Sequence, residues 1–170
     1  MPKGKVNMCT ILELKPTDAQ VIKAQMMSDE MGILKNSITK GKGNVIGFLG
    51  EIVLSDHFKW PQANTYDYDL ITAEGKTVDV KSKQCRSIPQ PHYECSISSY
   101  NTKQQCDYYA FTRIKSDYSV LWFAGLMPKE LYFTQATKKH KGEVDPSNGF
   151  MFRSDCFNLP LSALEEYSTP

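Results

Sequence analysis

Acidic and lysine side chains recur at alternate positions in two neighbouring segments of the chain. Asp67 and Asp69 lie in YDYDLIT, and Asp79 and Lys81 lie in KTVDVKSKQ. Because side chains of a β-strand alternate between its two faces, each pair projects to one side of its strand. If the two strands pair in a suitable register, Asp69, Asp79 and Lys81 meet at one end of a hairpin. Carboxylates there can bind a hard divalent cation, and the lysine can orient or deprotonate a water molecule that attacks a phosphodiester.

The spacing of Asp69, Asp79 and Lys81 is weakly diagnostic by itself. A solvated hairpin face with cross-strand ion pairs, each of small energetic value, has the same pattern. A third carboxylate, Glu51 in GFLGE, lies beside the apolar stripe of a predicted helix, where its burial is costly unless it has a partner. A metal site would provide that partner. The alternative is a side chain that reaches solvent from the edge of the stripe.

Two helices are predicted upstream of these strands. Apolar periodicity indicates helices over 17–33 and 45–59, and Asn44 is the expected N-cap of the second. Gly47 and Gly50 lower the helix propensity of the second segment, so we expect them to let its backbone lie close to a sheet.

A change to period 2 predicts a hairpin of residues 66–72 and 76–84 about the turn signal Ala73-Glu74-Gly75. The elements expected after it are strands over 93–99, 106–114 and 119–126, a helix over 127–136, a loop over 138–149, and a short strand with a terminal helical turn over 152–167. This order predicts a single α/β or α+β domain whose sheet is covered on at least one face.

GFLGE in a helix, YDYDLIT and VDVKSK in successive strands and CDYYAF in a later strand resemble the PD-(D/E)XK nuclease superfamily. The resemblance covers about residues 42–126. It implies a restriction-endonuclease-like αβββαβ core with a mixed central sheet flanked by helices, preceded by a helical extension (1–40) and followed by a C-terminal helix, loop and tail (127–170).

The same resemblance implies a catalytic set of Glu51, Asp69, Asp79 and Lys81. Mg²⁺ or Mn²⁺ would be held by Asp69, Asp79 and the Val80 carbonyl, with Glu51 binding directly or through water. Lys81 would position the attacking water.

The chain departs from the superfamily pattern at two places. Asp67 is a rival to Asp69 for the first motif position, and Asp69 is preferred because Leu-Ile continues after it as a core strand. The helix between the third and fourth strands must be very short, near YNTKQQ.

The resemblance implies a metal-dependent deoxyribonuclease that acts on branched or duplex DNA as a homodimer or higher oligomer, similar to small phage or mobile-element enzymes such as Holliday-junction resolvases. Phosphate contacts would come from basic residues around the acidic cluster, namely Lys40, Lys42, Lys83 and Arg86. A catalytically inactive nucleic-acid-binding or inhibitor protein on the same fold is the runner-up hypothesis, and a structural domain with a solvated acidic hairpin is the third.

Composition limits the class of protein. The 170 residues carry a net charge of +1 and are 41% hydrophobic, which excludes a disordered tail, a collagen-like chain and a strongly basic packaging protein. Its apolar stretches are shorter than the roughly 18 residues that span a bilayer. MPKGKVNMC does not resemble a secretory signal, and five dispersed cysteines favour reduced thiols, so we expect a cytoplasmic location, in the host if the protein is phage-encoded.

Zinc is the alternative metal that the composition raises. Its candidate ligands are Cys85, His92, Cys95 and Cys106. Their spacing lacks a CxxC knuckle, so the sequence does not favour a zinc site.

Overall fold

The computed structural model of the chain describes residues 11–35, 42–63, 65 and 67–164, which form a mixed α/β structure. In chain order the elements are β1 (Leu12–Leu14), α1 (Asp18–Lys35), α2 (Lys42–Phe58), β2 (Leu70–Ile71), β3 (Thr77–Cys85), β4 (Glu94–Ser98), β5 (Tyr108–Lys115), β6 (Leu121–Pro128), α3 (Lys129–Gln135), β7 (Thr137–Lys139) and β8 (Cys156–Pro160). Within the described ranges, no helix is both long enough and apolar enough to cross a bilayer.

The larger sheet contains both parallel and antiparallel strand pairs. Its strand order is β1-β6-β5-β3-β2, with β3 and β5 parallel and the other neighbours antiparallel. The predicted hairpin is confirmed, because Leu70 pairs with Val78 and Ile71 with Thr77. However, β2 is only two residues long, so the second half of β3 extends beyond it. Pairing of β1 with β6 was not predicted, since a three-residue strand is too short to show a period.

Helix α2 lies between the larger sheet and α1. Its buried residues surround much of the helix rather than forming one stripe, and they are Ile46, Leu49, Ile52, Val53 and Leu54. This distribution follows from the packing, because α2 contacts β3 on one side and α1 on the other. Ala24 of α1 belongs to the same core, so the predicted N-terminal helix packs against α2. The predicted N-cap was wrong, because Asn44 lies inside α2, which begins at Lys42.

One of the two predicted close approaches of α2 to the sheet is confirmed. A Cβ atom built on Gly50 would lie 2.0 Å from Ser82 Oγ and 3.1 Å from Thr112 Oγ1. These two hydroxyls are themselves hydrogen-bonded at 2.7 Å across β3 and β5. A Cβ on Gly47 would meet nothing within 4 Å, so the prediction for that glycine was wrong.

Gly50→Ala should therefore destabilise the protein. The added methyl group must displace Ser82 Oγ and its hydrogen bond or push α2 away from β3, at a cost of about 1–3 kcal/mol in the free energy of unfolding. Gly47→Ala is the matched control in the same helix, and it should be neutral or stabilising by up to about 1 kcal/mol. Urea denaturation measures both. Ser82→Ala should recover part of the loss in Gly50→Ala, and equal stability of the two alanine variants would contradict the assigned contact.

The smaller sheet corrects the prediction for the second half of the chain. Its order is β4-β8-β7, and a separate core that includes Tyr109, Phe111 and Tyr132 fills the space against the larger sheet. The strand expected to be third in the central sheet, β4, pairs with β8 here instead. The short strand predicted within 152–167 is confirmed as β8, whereas β7 overlaps the start of the segment predicted as a loop. The predicted short helix near YNTKQQ is a single 3-10 turn over Ser99–Asn101.

Candidate active site

The hairpin register places Asp69 opposite Asp79. Since Leu70 pairs with Val78, the next residue on each strand faces the other. Asp69 N donates to Val78 O at 2.8 Å, and Asp69 Oδ2 accepts from Val80 N at 2.8 Å. The Asp69 carboxyl thus takes the position that a strand carbonyl would fill, which explains why β2 does not extend past Leu70. Asp69 is held against β3 by backbone geometry as well as by its own charge.

Asp79, Lys81 and Gln104 form a closed set of contacts beside Asp69. Lys81 Nζ lies 2.7 Å from Asp79 Oδ2 and donates to Gln104 Oε1 at 3.2 Å. Gln104 Nε2 donates to Asp79 Oδ1 at 3.3 Å. Asp79 is 4% exposed and Gln104 6%, so these contacts are largely removed from water. The Lys81 ammonium is thus held by one ion pair and one hydrogen bond.

Glu51 completes the cluster from α2. Burial and the charge of Asp69 raise the pKa of Glu51 to about 9, and the two carboxyl groups share a hydrogen bond. Burial and the charge of Asp79 raise the pKa of Asp69 to about 7, against the opposing effect of the Val80 N–H. Burial also raises the pKa of Asp79, although Lys81 opposes the shift. The structure therefore brings Glu51, Asp69, Asp79 and Lys81 together, as three crowded carboxyl groups beside one ammonium.

The loop that carries Gln104 is fixed by two residues that the motif does not include. Asp67 Oδ1 accepts from Gln105 N at 3.0 Å, and Lys129 Nζ donates to the Gln104 carbonyl. Asp67, the rival to Asp69, thus holds this loop rather than joining the three crowded carboxyl groups. The sequence analysis did not place Gln104 or Lys129 at this cluster. No local pattern connects either residue to Asp79, because the contacts span a loop.

The cluster has the donor chemistry for Mg²⁺ or Mn²⁺ but not a finished geometry. Among the described residues, no group of three or more histidine, cysteine, aspartate or glutamate side chains is arranged to hold a metal ion. The carboxyl oxygens of Asp69 and Asp79 are nonetheless the hard ligands that these cations prefer. Three carboxyl groups with raised pKa values are also what a divalent cation would stabilise in ionised form. The residues fit the ion, provided that Lys81 moves away from Asp79.

The zinc candidates do not form a metal-binding group within the described part of the chain. Cys95 is buried in the core between the two sheets, where its thiol donates to Leu159 O at 3.2 Å. Cys85 ends β3, and burial raises the pKa of the Cys106 thiol to about 11. These contacts are those of packed or half-buried thiols.

The predicted phosphate-binding residues are placed unevenly. Lys83 follows Lys81 on β3 and is exposed, and Arg86 is exposed just beyond the end of the same strand. Lys42 begins α2, but its side chain lies outside what the structure describes. Lys40 falls outside the described residues altogether. Of the four predicted residues, Lys83 is the one that shares strand β3 with Asp79 and Lys81.

Comparison with known proteins adds no relative. No protein-family model and no curated protein matches the chain. The functional argument therefore depends on the site itself.

Proposed function

We propose that this chain is a Mg²⁺- or Mn²⁺-dependent nuclease that hydrolyses DNA phosphodiester bonds on a restriction-endonuclease-like core. The observation that carries the proposal is the convergence of Glu51, Asp69, Asp79 and Lys81 from α2, β2 and β3. We expect a homodimer or higher oligomer when duplex DNA is cut, because each strand requires a site.

Burial argues against a merely structural role for the cluster. A solvated hairpin face would keep its carboxylates in water, whereas Asp79 is 4% exposed and Glu51 and Asp69 crowd against it. Burying like charges together costs stability unless a counter-charge is supplied. One ammonium offsets only part of three carboxylates. An arrangement that is unfavourable for stability and raises the pKa of several neighbouring groups is typical of functional sites.

The residues have separable tasks in hydrolysis. Asp69 and Asp79 would hold the cation with the Val80 carbonyl, and Glu51 would bind directly or through water. When bound, the cation stabilises negative charge on the phosphodiester and lowers the pKa of a bound water. Lys81, aimed by Asp79 and Gln104, can release one acceptor and donate to the attacking water. When Asp79 binds the cation, the hydrogen bond to Gln104 would still hold the Lys81 ammonium at the site.

The topology supports the αβββαβ assignment over part of its length. Helix α2, the β2–β3 hairpin and the parallel β3–β5 pair occur in the expected order. The departure is β4, which pairs in the smaller sheet.

One observation favours the inactive alternative. The 2.7 Å contact between Lys81 Nζ and Asp79 Oδ2 already neutralises one carboxylate without a cation. A nucleic-acid-binding or inhibitor protein on this fold could keep that ion pair permanently. The two proposals differ in cation binding and in cleavage.

Titration with Mn²⁺ should release protons and bind more tightly at high pH. With the pKa of Glu51 at about 9 and that of Asp69 at about 7, these groups hold protons at neutral pH that a cation must displace. Calorimetry in two buffers of different ionisation enthalpy should show release of about one to two protons per site at pH 7, and affinity should rise from pH 6 to pH 8. Asp69→Ala should lose binding, whereas Asp29→Asn, at an exposed position on α1, should retain it.

Plasmid cleavage tests the reaction itself. The purified protein should nick or linearise plasmid or branched DNA with Mn²⁺ or Mg²⁺ and remain inactive in EDTA. Binding of DNA without cleavage in either metal would favour the inactive alternative, and absence of both binding and cleavage would favour the structural domain.

A further inference from the structure

A cavity opens beside the acidic cluster, along the part of β3 that extends beyond β2. Its volume is about 380 Å³, within the size range of small-ligand sites. The walls come from β3, β4, β5 and β6, from Gly47 of α2 and from Leu161, so the cavity lies where the two sheets approach each other. Glu94 of β4 contributes one carboxylate to the lining. Lys81 lines it, which makes the cavity continuous with the proposed catalytic site.

Two further cations line this cavity, and neither has a carboxylate partner in the described part of the chain. Lys83 pairs with Arg113 in the β3–β5 register, so the two side chains are neighbours. Arg113 is 8% exposed, and its guanidinium donates to the main-chain carbonyl of Glu94 at 2.8 Å. Lys81 forms an ion pair with Asp79. Among the described residues, neither Lys83 nor Arg113 forms an ion pair.

The positive charges of Lys83 and buried Arg113 repel each other, which costs stability unless an anion binds between them. Burial lowers the pKa of Arg113, and partial desolvation of the Lys83 ammonium together with the Arg113 charge lowers the pKa of Lys83. The guanidinium has five N–H donors, of which the described contact uses one. The remaining donors suit a phosphate, which arginine binds in a bidentate manner.

We propose that the cavity binds the nucleotide next to the cleaved bond, with Lys83 and Arg113 neutralising the phosphate that neighbours the scissile one. The inference rests on the proposed nuclease function, because Lys81 marks the position of the scissile phosphate. Lys83 lies two residues from Lys81, about 6.6 Å along β3, which is a step of one nucleotide on an extended strand. The cavity has room for one nucleotide and not for a duplex, so the substrate strand must be unpaired or flipped at this position.

Binding of a fluorescent single-stranded oligonucleotide in EDTA tests the subsite without cleavage. Lys83→Gln should weaken binding about 5- to 10-fold and reduce the slope of log K against log salt by about 0.7, as expected for loss of one single-strand phosphate contact. Lys76→Gln removes the same charge from the exposed turn at the other end of β3, outside the cavity, and should leave both quantities unchanged. Arg113→Lys, which keeps the charge but not the fork of donors, should weaken binding with little change in slope.

The outcomes separate the subsite from the nuclease proposal. Equal binding by Lys83→Gln and the unchanged protein, with plasmid cleavage intact, would overturn the subsite and leave the nuclease standing. Absence of cleavage in any metal would overturn the nuclease, whatever the oligonucleotide result. If Lys83→Gln weakens binding of inorganic phosphate but leaves binding of the oligonucleotide unchanged, the cavity is a free-anion site and the strand assignment is wrong. Thermal unfolding of each variant checks that the fold is retained.

Discussion

Asp79→Asn should reduce Mn²⁺-supported cleavage of plasmid DNA by about 1,000-fold or more, which corresponds to roughly 4 kcal/mol of transition-state stabilisation. The substitution keeps the shape of the side chain and an oxygen that can accept from Gln104 Nε2, so the fold should persist. It removes the charge that a cation requires and the partner that directs Lys81. Glu74→Gln, at the exposed turn of the same hairpin, is the matched control and should cleave normally.

Lys81→Met separates cation binding from the chemical step. This variant should bind Mn²⁺ at least as tightly as the unchanged protein, because the competing ammonium is gone from Asp79. It should nevertheless lose cleavage by about 100-fold or more, since no donor remains to position water.

Cleavage by Asp79→Asn at the normal rate would remove this carboxylate from the mechanism. Normal cleavage by Lys81→Met would leave the cation as the sole source of activation.

The central hairpin was predictable because local patterns determine it. The alternation of Leu70, Val78 and Val80 with polar residues requires one face to be buried, and the Ala73-Glu74-Gly75 turn fixes the register within a few residues. Asp69 and Asp79 then have to face each other. Glu51 could be singled out by its position beside an apolar stripe, although its contact with Asp69 depends on the angle at which α2 crosses the sheet.

The remaining parts of the site depend on pairings that a local pattern does not determine. The alternation over 93–99 correctly predicts the strand β4, but it does not specify that β8, about 60 residues later, will be its partner. The contacts of Gln104 with Asp79 and of Lys129 with the Gln104 carbonyl each cross about 25 residues. Arg113 is one charged residue in a buried strand. The sequence does not show that it lies beside Lys83, which follows only from the pairing of β3 with β5.

The packing of α2 against β3 causes both the close approach at Gly50 and the crowding of Glu51 against Asp69. Gly50 lets α2 lie against Ser82, and the next residue of the helix is then held beside Asp69. A bulkier residue at position 50 would give Glu51 more room and more water. The stable α2–β3 contact thus offsets the free-energy cost of crowding the carboxyl groups.

Glu51→Gln should stabilise the cation-free protein at neutral pH and reduce the dependence of its stability on pH. The pKa of Glu51 is raised to about 9 in the folded protein, from 4.5 when the chain is unfolded. Below pH 4.5 both states hold the proton, so the group carries no penalty. As pH rises from 4.5 to 9, the unfolded chain releases the proton first, and stability therefore falls. For Glu51 the loss should be about 2–3 kcal/mol between pH 5 and pH 7.

Urea denaturation in EDTA at pH 5, 6, 7 and 8 measures this effect. The unchanged protein should lose stability steadily over this range, whereas Glu51→Gln should lose less and exceed it by about 1–2 kcal/mol at pH 7. Glu30→Gln, at an exposed site on α1, should keep the original slope. Saturating Mn²⁺ should reverse the order of the two proteins, because a cation stabilises the ionised carboxylates and the Glu51→Gln variant lacks one of them. Identical slopes for both proteins in EDTA would show that Glu51 is not crowded and protonated in the cation-free protein, and would contradict the assigned contact with Asp69.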